Sequence, residues 1–397
     1  MTIPYATRMS GVRPSAIREL LRLGADPEIV SFGGGYPDPA LFPMTELSEV
    51  FQKLLTGAHT DALQYTESRG LPQLREHIAR RLTRDGIPCG AEDVLVVQGG
   101  QQGMDLVGKL VLNVGDTVVT ENPTFLGALI SFAPYEPRYA PVRIDEDGMD
   151  MDHLEETLAR NPGTKLLYTV PDFQNPTGVT LALERRHRLI ELANQHNLLV
   201  LEDTPYRSLR YEGAHVPTLK SLDTEGRVVH LGSFSKILAP GMRLGWAVAA
   251  PDVLEKLGLL KLAADTQCST LNMAATSAYL DSYDIDAHIA DACATYKHKR
   301  DLTLKTLSEA LPPSVRFTHP QGGLFTWLTF PTGFDAATFM RDTLLPLAKV
   351  AYVPGATFFP GTQEPNHARL SFSGVADETL VRGLGRLGEL LRQELGD

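Results

Sequence analysis

Cysteine is scarce and scattered in this chain. The three present, Cys89, Cys268 and Cys293, are far apart and odd in number, and no C-x-x-C pair occurs. That usage gives no disulfide framework and no thiolate metal site, and it favours a reducing compartment. Long apolar runs are missing too. No stretch reaches the roughly 18 consecutive apolar residues of a membrane span. The opening MTIPYATRMSGVRPSAIREL has no apolar core of the kind a secretory signal needs. These absences predict a cytoplasmic protein with no membrane partner. Positive charge is outweighed: 37 Lys and Arg face 48 Asp and Glu, a formal net charge of -11. That balance argues against nucleic acid as a partner, since a phosphate backbone calls for a basic surface. It leaves room for a local basic pocket that takes a small anion. Low-complexity tracts and internal repeats are absent as well.

What is there is a long chain of ordinary globular composition. At 397 residues, 43% hydrophobic and 21% charged, it predicts more than one core. Between about 94 and 250, short apolar runs alternate with amphipathic ones. VLVVQ (94–98), TVVTE (117–121), KLLYTV (165–170), LLVLED (198–203), VVHLG (228–232) and LGWAVAA (244–250) read as buried strands. QQGMDLVGKLVL and LERRHRLIELANQH read as helices between them. Strands apolar on both faces and separated by helices imply a mostly parallel sheet covered on each side. After 250 the pattern turns to helices up to about 311, the strands GGLFTWLTF, VAYVPG and ARLSFSG, and a final amphipathic helix over 376–395. The expected division is an N-terminal arm (1–45) packed with a smaller α+β domain (286–397), beside a large α/β domain (46–285).

In parallel sheets ligands bind beyond the carboxyl ends of the strands, and four polar segments stand there. QGGQQG (98–103) links a strand to a helix, where backbone N–H groups either cradle an anion or simply make a tight turn. It lacks the spacing of a dinucleotide or nucleoside-triphosphate loop. DFQNPTG (172–178) follows a second strand. Asp203 ends LLVLED, where a carboxylate needs a cationic or hydrogen-bonding partner to offset desolvation. It either caps the next turn or meets a pyridinium nitrogen. Lys236, in GSFSK, sits between Ser233 and Ser235 with Arg243 seven residues on. Such neighbours disfavour its ammonium form and suit an amine that bonds to an aldehyde. The serines and Arg243 are donors fit for a phosphate monoester.

Taken together, NPTG (175–178), Asp203 with Tyr206, SFSKILAPGMRLGW and Arg369 in ARLSFSG resemble the fold-type I aminotransferases that use pyridoxal 5′-phosphate. The spacings match over nearly the whole chain: 28 residues from Asn175 to Asp203, 33 to Lys236, 7 to Arg243 and 126 to Arg369. IREL (17–20), SFGGGYPDPALFP (31–43) and QYTESRGLPQLRE (64–76) are similar to the 2-aminoadipate and kynurenine aminotransferase branch. The resemblance implies an aspartate-aminotransferase-like α/β fold with a mostly parallel, mixed seven-stranded sheet. It implies Lys236 as the amine that bonds the cofactor aldehyde and carries the proton, and Asp203 as partner of the pyridine nitrogen. Tyr206 and Asn175 would bond the ring 3′-oxygen, and Phe125 would stack on the ring. Gly100, Gln101, Ser233, Ser235 and Arg243 would hold the phosphate. No metal is implied.

On the substrate side, the resemblance implies Arg369 as a two-pronged grip on the α-carboxylate. Arg18 would contact a distal carboxylate, or else is a helix-surface arginine. Gly34 belongs to a flexible wall, where Tyr36 would favour an aromatic guest. Tyr65 matches the tyrosine that reaches the phosphate of the partner subunit, implying a homodimer with shared active sites; otherwise it is a turn residue. The expected activity is a ping-pong transfer from a broad aromatic or 2-aminoadipate-type amino acid to 2-oxoglutarate. A lyase or racemase on the same fold is the alternative. An effector-sensing regulator is a remote third.

Overall fold

Among the described residues of the computed structural model (3–12, 26, 28–57 and 60–396), eight strands form the main sheet. They are β1 Val94–Val97, β2 Thr117–Asn122, β3 Arg138–Asp145, β4 Gly148–Met149, β5 Leu166–Thr169, β6 Leu199–Asp203, β7 Val228–Ser233 and β8 Gly245–Val248. Their spatial order is β1-β8-β7-β6-β5-β2-β3-β4. Strands β3, β2, β5, β6 and β7 run parallel, β8 is antiparallel to both its neighbours, and β4 is a short antiparallel edge on β3. The seven strands expected from the resemblance are therefore present, with a two-residue eighth added.

Strands β1, β5 and β7 are buried at every position, as continuous Val/Leu runs in a sheet covered on both faces predict. Alternate residues feed different cores. Leu95 and Val97 pack with Met104 and Val107 of the helix Gly100–Val111, whereas Val94 and Val96 pack with Leu74 and Ile78 of the helix Pro72–Arg84. Each such side chain, fully buried, contributes about 1.5–3 kcal/mol. Strand β3 was not legible as a buried run. It lies towards the sheet edge, alternates between buried and exposed positions and carries Pro141, the pattern of a half-solvated strand.

A second, antiparallel sheet joins Arg316–Phe317, Phe325–Thr329, His367–Ser371 and Val353–Pro354 in that order. The helices Ile285–Ala310 and Asp377–Leu395 accompany it. The run VAYVPG is not one strand but two. Val350–Ala351 pairs in parallel with Val30–Ser31, while Val353–Pro354 pairs with His367–Ser371. The chain switches sheets at Tyr352, whose buried O–H donates to the Ala336 carbonyl at 2.7 Å. Val30 and Phe32 share an apolar cluster with Trp327, Phe358 and Leu370. That packing carries the next residues, Gly33 to Tyr36, over the rim of the main sheet. No helix among the described residues is long and apolar enough to cross a membrane.

Candidate active site

The strand register assembles the site. Ser233 at the end of β7 lies opposite Gly245, and so does Val97 at the end of β1. The reversed strand β8 therefore begins at the rim where its neighbours end, and Arg243 joins the segments 98–103 and 232–236 there. Arg243 adopts a left-handed backbone, φ 54°. Its Nη2 donates to the Gln98 carbonyl at 3.1 Å and its Nη1 to the Pro240 carbonyl at 3.3 Å. No acidic side chain pairs with it among the described residues. Gly99, at φ 76°, precedes the helix Gly100–Val111; an added Cβ would approach the Arg243 guanidinium to 3.0 Å. The backbone favours glycine, and any side chain there would crowd the guanidinium. The Ser233 Oγ accepts from the Ser235 N–H at 3.0 Å, which bends the chain into Lys236. Exposed guanidinium, hydroxyls and a helix N-terminus together make an anion cradle.

Lys236 Nζ donates to the Gly35 carbonyl at 2.7 Å and lies 5.9 Å from the Tyr206 ring centre. Burial first, then the positive Arg369 and Arg243, lower its pKa to about 8. Asp203, at the end of β6, is 4% exposed and accepts at Oδ2 from the Tyr168 O–H at 2.9 Å. Its Oδ1 has no hydrogen bond among the described residues. Burial raises its pKa to about 6, against the bond from Tyr168 and the charge of His230. Relative to its usual 3.8 this is roughly 3 kcal/mol against ionisation. A cation set against Oδ1 would reverse that cost.

Arg369 comes from the second sheet, between Trp327 and Val353. It is 3% exposed, with Nη1 donating to Asn175 Oδ1 at 2.8 Å and Nη2 to the Gly33 carbonyl at 2.7 Å. The Phe325 and Phe358 rings lie 4.3 and 5.2 Å from its Cζ. Its Nε is buried without a partner, and no carboxylate faces it among the described residues. Burial lowers its pKa only to about 10, so it stays charged at neutral pH. A buried, unpaired guanidinium is a poor structural choice and a good receptor for an anionic guest. Asn175 also donates to the Tyr206 O–H oxygen at 3.2 Å, and burial pushes the Tyr206 phenol up to about 12. One chain of contacts therefore runs from Arg369 through Asn175 to Tyr206.

Other expected residues fall around this group. Phe125 caps the helix Leu126–Phe132, and Gly127 makes room for its ring, since an added Cβ would lie 2.4 Å from it. Gln101 turns its side chain away, donating to the Gly127 carbonyl at 3.0 Å and to Ser131; its backbone remains at the helix start. Gly34 lies between the two glycines that contact the site. Tyr36 is 55% exposed, its carbonyl held by Ser373 Oγ at 2.6 Å. Tyr65 is 81% exposed, with its N–H bonded to Gln64 Oε1, and makes no contact with Lys236 within the chain among the interactions of the described residues. Arg18 lies outside the described residues. Sequence reading missed Tyr168, Phe325 and the Gly33 and Gly35 carbonyls. Tyr168 and Phe325 hide inside apolar strand runs, and backbone acceptors carry no residue-type signal.

These features fit a group that brings an anion to Arg243, a cation to Asp203 and an electrophile to Lys236. Comparison with known proteins agrees. The family model for aminotransferase class I and II matches residues 30–387. The aromatic-amino-acid aminotransferase 1 of Thermococcus litoralis is 39% identical, covering 98% of this chain and 94% of that protein. The 2-aminoadipate transaminase of Thermus thermophilus is 38% identical, covering 96% and 94%. The crystal structure of Pyrococcus horikoshii kynurenine aminotransferase, in complex with PMP, superposes with a TM-score of 0.94 at 38% identity, over 98% of this chain and 97% of that one. With the fold, the rim geometry and a match over most of its length in agreement, this chain belongs to the class I and II aminotransferases.

Proposed function

We propose that the protein moves an amino group from aromatic and 2-aminoadipate-like amino acids to 2-oxoglutarate by a ping-pong exchange, with pyridoxal 5′-phosphate as cofactor. One observation carries the reading: a buried guanidinium with no carboxylate beside it among the described residues, a buried carboxyl and an amine lowered to about 8 face the same rim. Ser233, Ser235, Arg243 and the backbone of Gly100 and Gln101 would hold the phosphate. Asp203 would pair with the ring nitrogen, Asn175 and Tyr206 with the ring oxygen, and Phe125 would cover the ring face. When bound, the cofactor supplies an aldehyde for the amino group and a ring that takes up the electron pair left at Cα.

Arg369 orients the donor by its α-carboxylate, fixing which bond at Cα faces Lys236. Lys236 Nζ takes the Cα proton as a base, since a useful fraction is uncharged near neutral pH. The 2-oxo acid then enters the same place, its carboxylate on Arg369. Gripping donor and acceptor alike favours transfer over the lyase or racemase alternative. Arg18, Gly34 and Tyr36 would line the side-chain end of the pocket. Exposed Tyr65 would complete the site of a second copy, making the unit a homodimer. The division at 45 and 285, and a cytoplasmic location, belong to the same reading.

The test is a panel of amino acids, both enantiomers, mixed with the yellow protein while loss of colour is followed. Aromatic and 2-aminoadipate donors should bleach it and 2-oxoglutarate restore it. A colourless protein that pyridoxal 5′-phosphate cannot reconstitute would overturn the reading.

A further inference from the structure

The Asp203 carboxyl has its own second partner, and the sheet register explains why. Strands β5 and β6 are parallel, with Tyr168 opposite Leu201. Side chains alternate across a strand, so Leu201 and Asp203 share a face, and Tyr168 projects on it from the neighbouring strand. The phenol O–H meets Oδ2 at 2.9 Å with both residues buried. Phe132 packs edge-on against the phenol ring, centroids 6.0 Å apart and planes at 77°. Phe132 ends the same short helix that Phe125 caps. The hydroxyl therefore has a fixed direction, and burial, then Asp203 itself, keep the phenol protonated far above its ordinary range.

We propose that Tyr168 is a positioning residue: it occupies Oδ2, stabilises the Asp203 carboxylate, and leaves Oδ1 alone to meet the ring nitrogen of the cofactor. The proposal rests on the cofactor reading above. Few other groups act on this carboxyl. His230 favours its charged form from the opposite face of the sheet, and is itself tied to Glu202 at 2.9 Å. Glu121, buried on β2 and bonded to Thr169 and Gln174, is pushed up mainly by burial and only weakly by the charge of Asp203. Among the described residues, Tyr168 thus makes the one direct side-chain hydrogen bond that opposes protonation of Asp203. Hydrogen bonds to charged groups are stronger than those between neutral groups, so its loss shifts the proton from the ring nitrogen towards the carboxylate.

Tyr168→Phe keeps the ring, the Phe132 contact and the volume while removing the hydroxyl. The experiment is 15N NMR of the protein reconstituted with ring-15N pyridoxal 5′-phosphate, with cofactor affinity measured alongside. In the unaltered protein the ring nitrogen should resonate as pyridinium. In the variant it should move towards neutral pyridine, cofactor affinity should fall roughly 10-fold or more, and kcat should drop with KM little changed. A variant whose nitrogen keeps the pyridinium signal overturns the proposal, even where its turnover is reduced. An unaltered protein that gives no bound-cofactor signal overturns the cofactor reading, and the proposal with it.

Discussion

Arg369→Lys is the substitution that weighs the proposed grip on the substrate carboxylate. The guanidinium sits between the Phe325 and Phe358 rings and already spends Nη1 on Asn175 and Nη2 on Gly33. Its remaining N–H groups, Nε among them, offer a fork that matches the two oxygens of a carboxylate. An ammonium keeps the charge but loses the fork and the flat stacking surface. Losing one of two charge-assisted hydrogen bonds costs about 1.5–3 kcal/mol, which is roughly 10- to 150-fold at 1.4 kcal/mol per decade. If donor and acceptor are held alike, as the proposed function has it, both half-reactions should slow, mainly through weaker substrate binding. The check is single-turnover absorbance with a donor and, separately, with 2-oxoglutarate, beside a melting curve. A variant with unchanged kcat/KM on both arms would refute the assignment. So would a variant impaired on one arm only.

Further outcomes follow from the same geometry. Lys236→Ala should still bind the cofactor through the remaining contacts but lose turnover by about 10²–10⁴-fold or more, as for a removed general base; a wild-type rate in steady-state assays would remove it from the chemistry. In the cofactor-free protein, Lys236 should react with an amine-labelling reagent with a midpoint near pH 8, against about 10.4 for an ordinary lysine. Its folded pKa is lowered, so between those values the folded chain holds one proton fewer than the unfolded one. The Lys236 contribution to stability of the cofactor-free protein therefore rises with pH across that window; reactivity rising only near pH 10 would contradict the lowered value. Tyr65→Phe should weaken cofactor binding by about 1.5–3 kcal/mol. Mixing it with Lys236→Ala should recover activity per intact site, and no recovery in re-associated mixtures would rule out shared sites.

Much of this site could be read from the chain because its residues break local rules. Asp203 follows Leu-Val-Leu-Glu, and Lys236 is flanked by hydroxyls rather than charges; polar groups at the ends of apolar strands are costly unless used. The core strands were legible for the converse reason: their uniform burial leaves an unbroken Val/Leu signal. Strand β3 escaped because half of it faces solvent, and the sheet switch at Tyr352 because two short strands there read as one. Tyr168 escaped because a tyrosine inside an apolar run looks like packing; only the pairing of β5 with β6 reveals where its hydroxyl goes.

The glycine strap ahead of Tyr36 has a consequence for turnover. Its carbonyls lend acceptors to two of the site's cations, Gly35 to Lys236 and Gly33 to Arg369. Under the proposed function, an arriving carboxylate takes the remaining N–H groups of Arg369 in competition with the Gly33 carbonyl for its charge, so its net affinity is tempered. Departure is eased by the same competition, because the backbone oxygens are at hand to re-engage. An enzyme that admits two guests by turns through one doorway gains from holding neither too firmly.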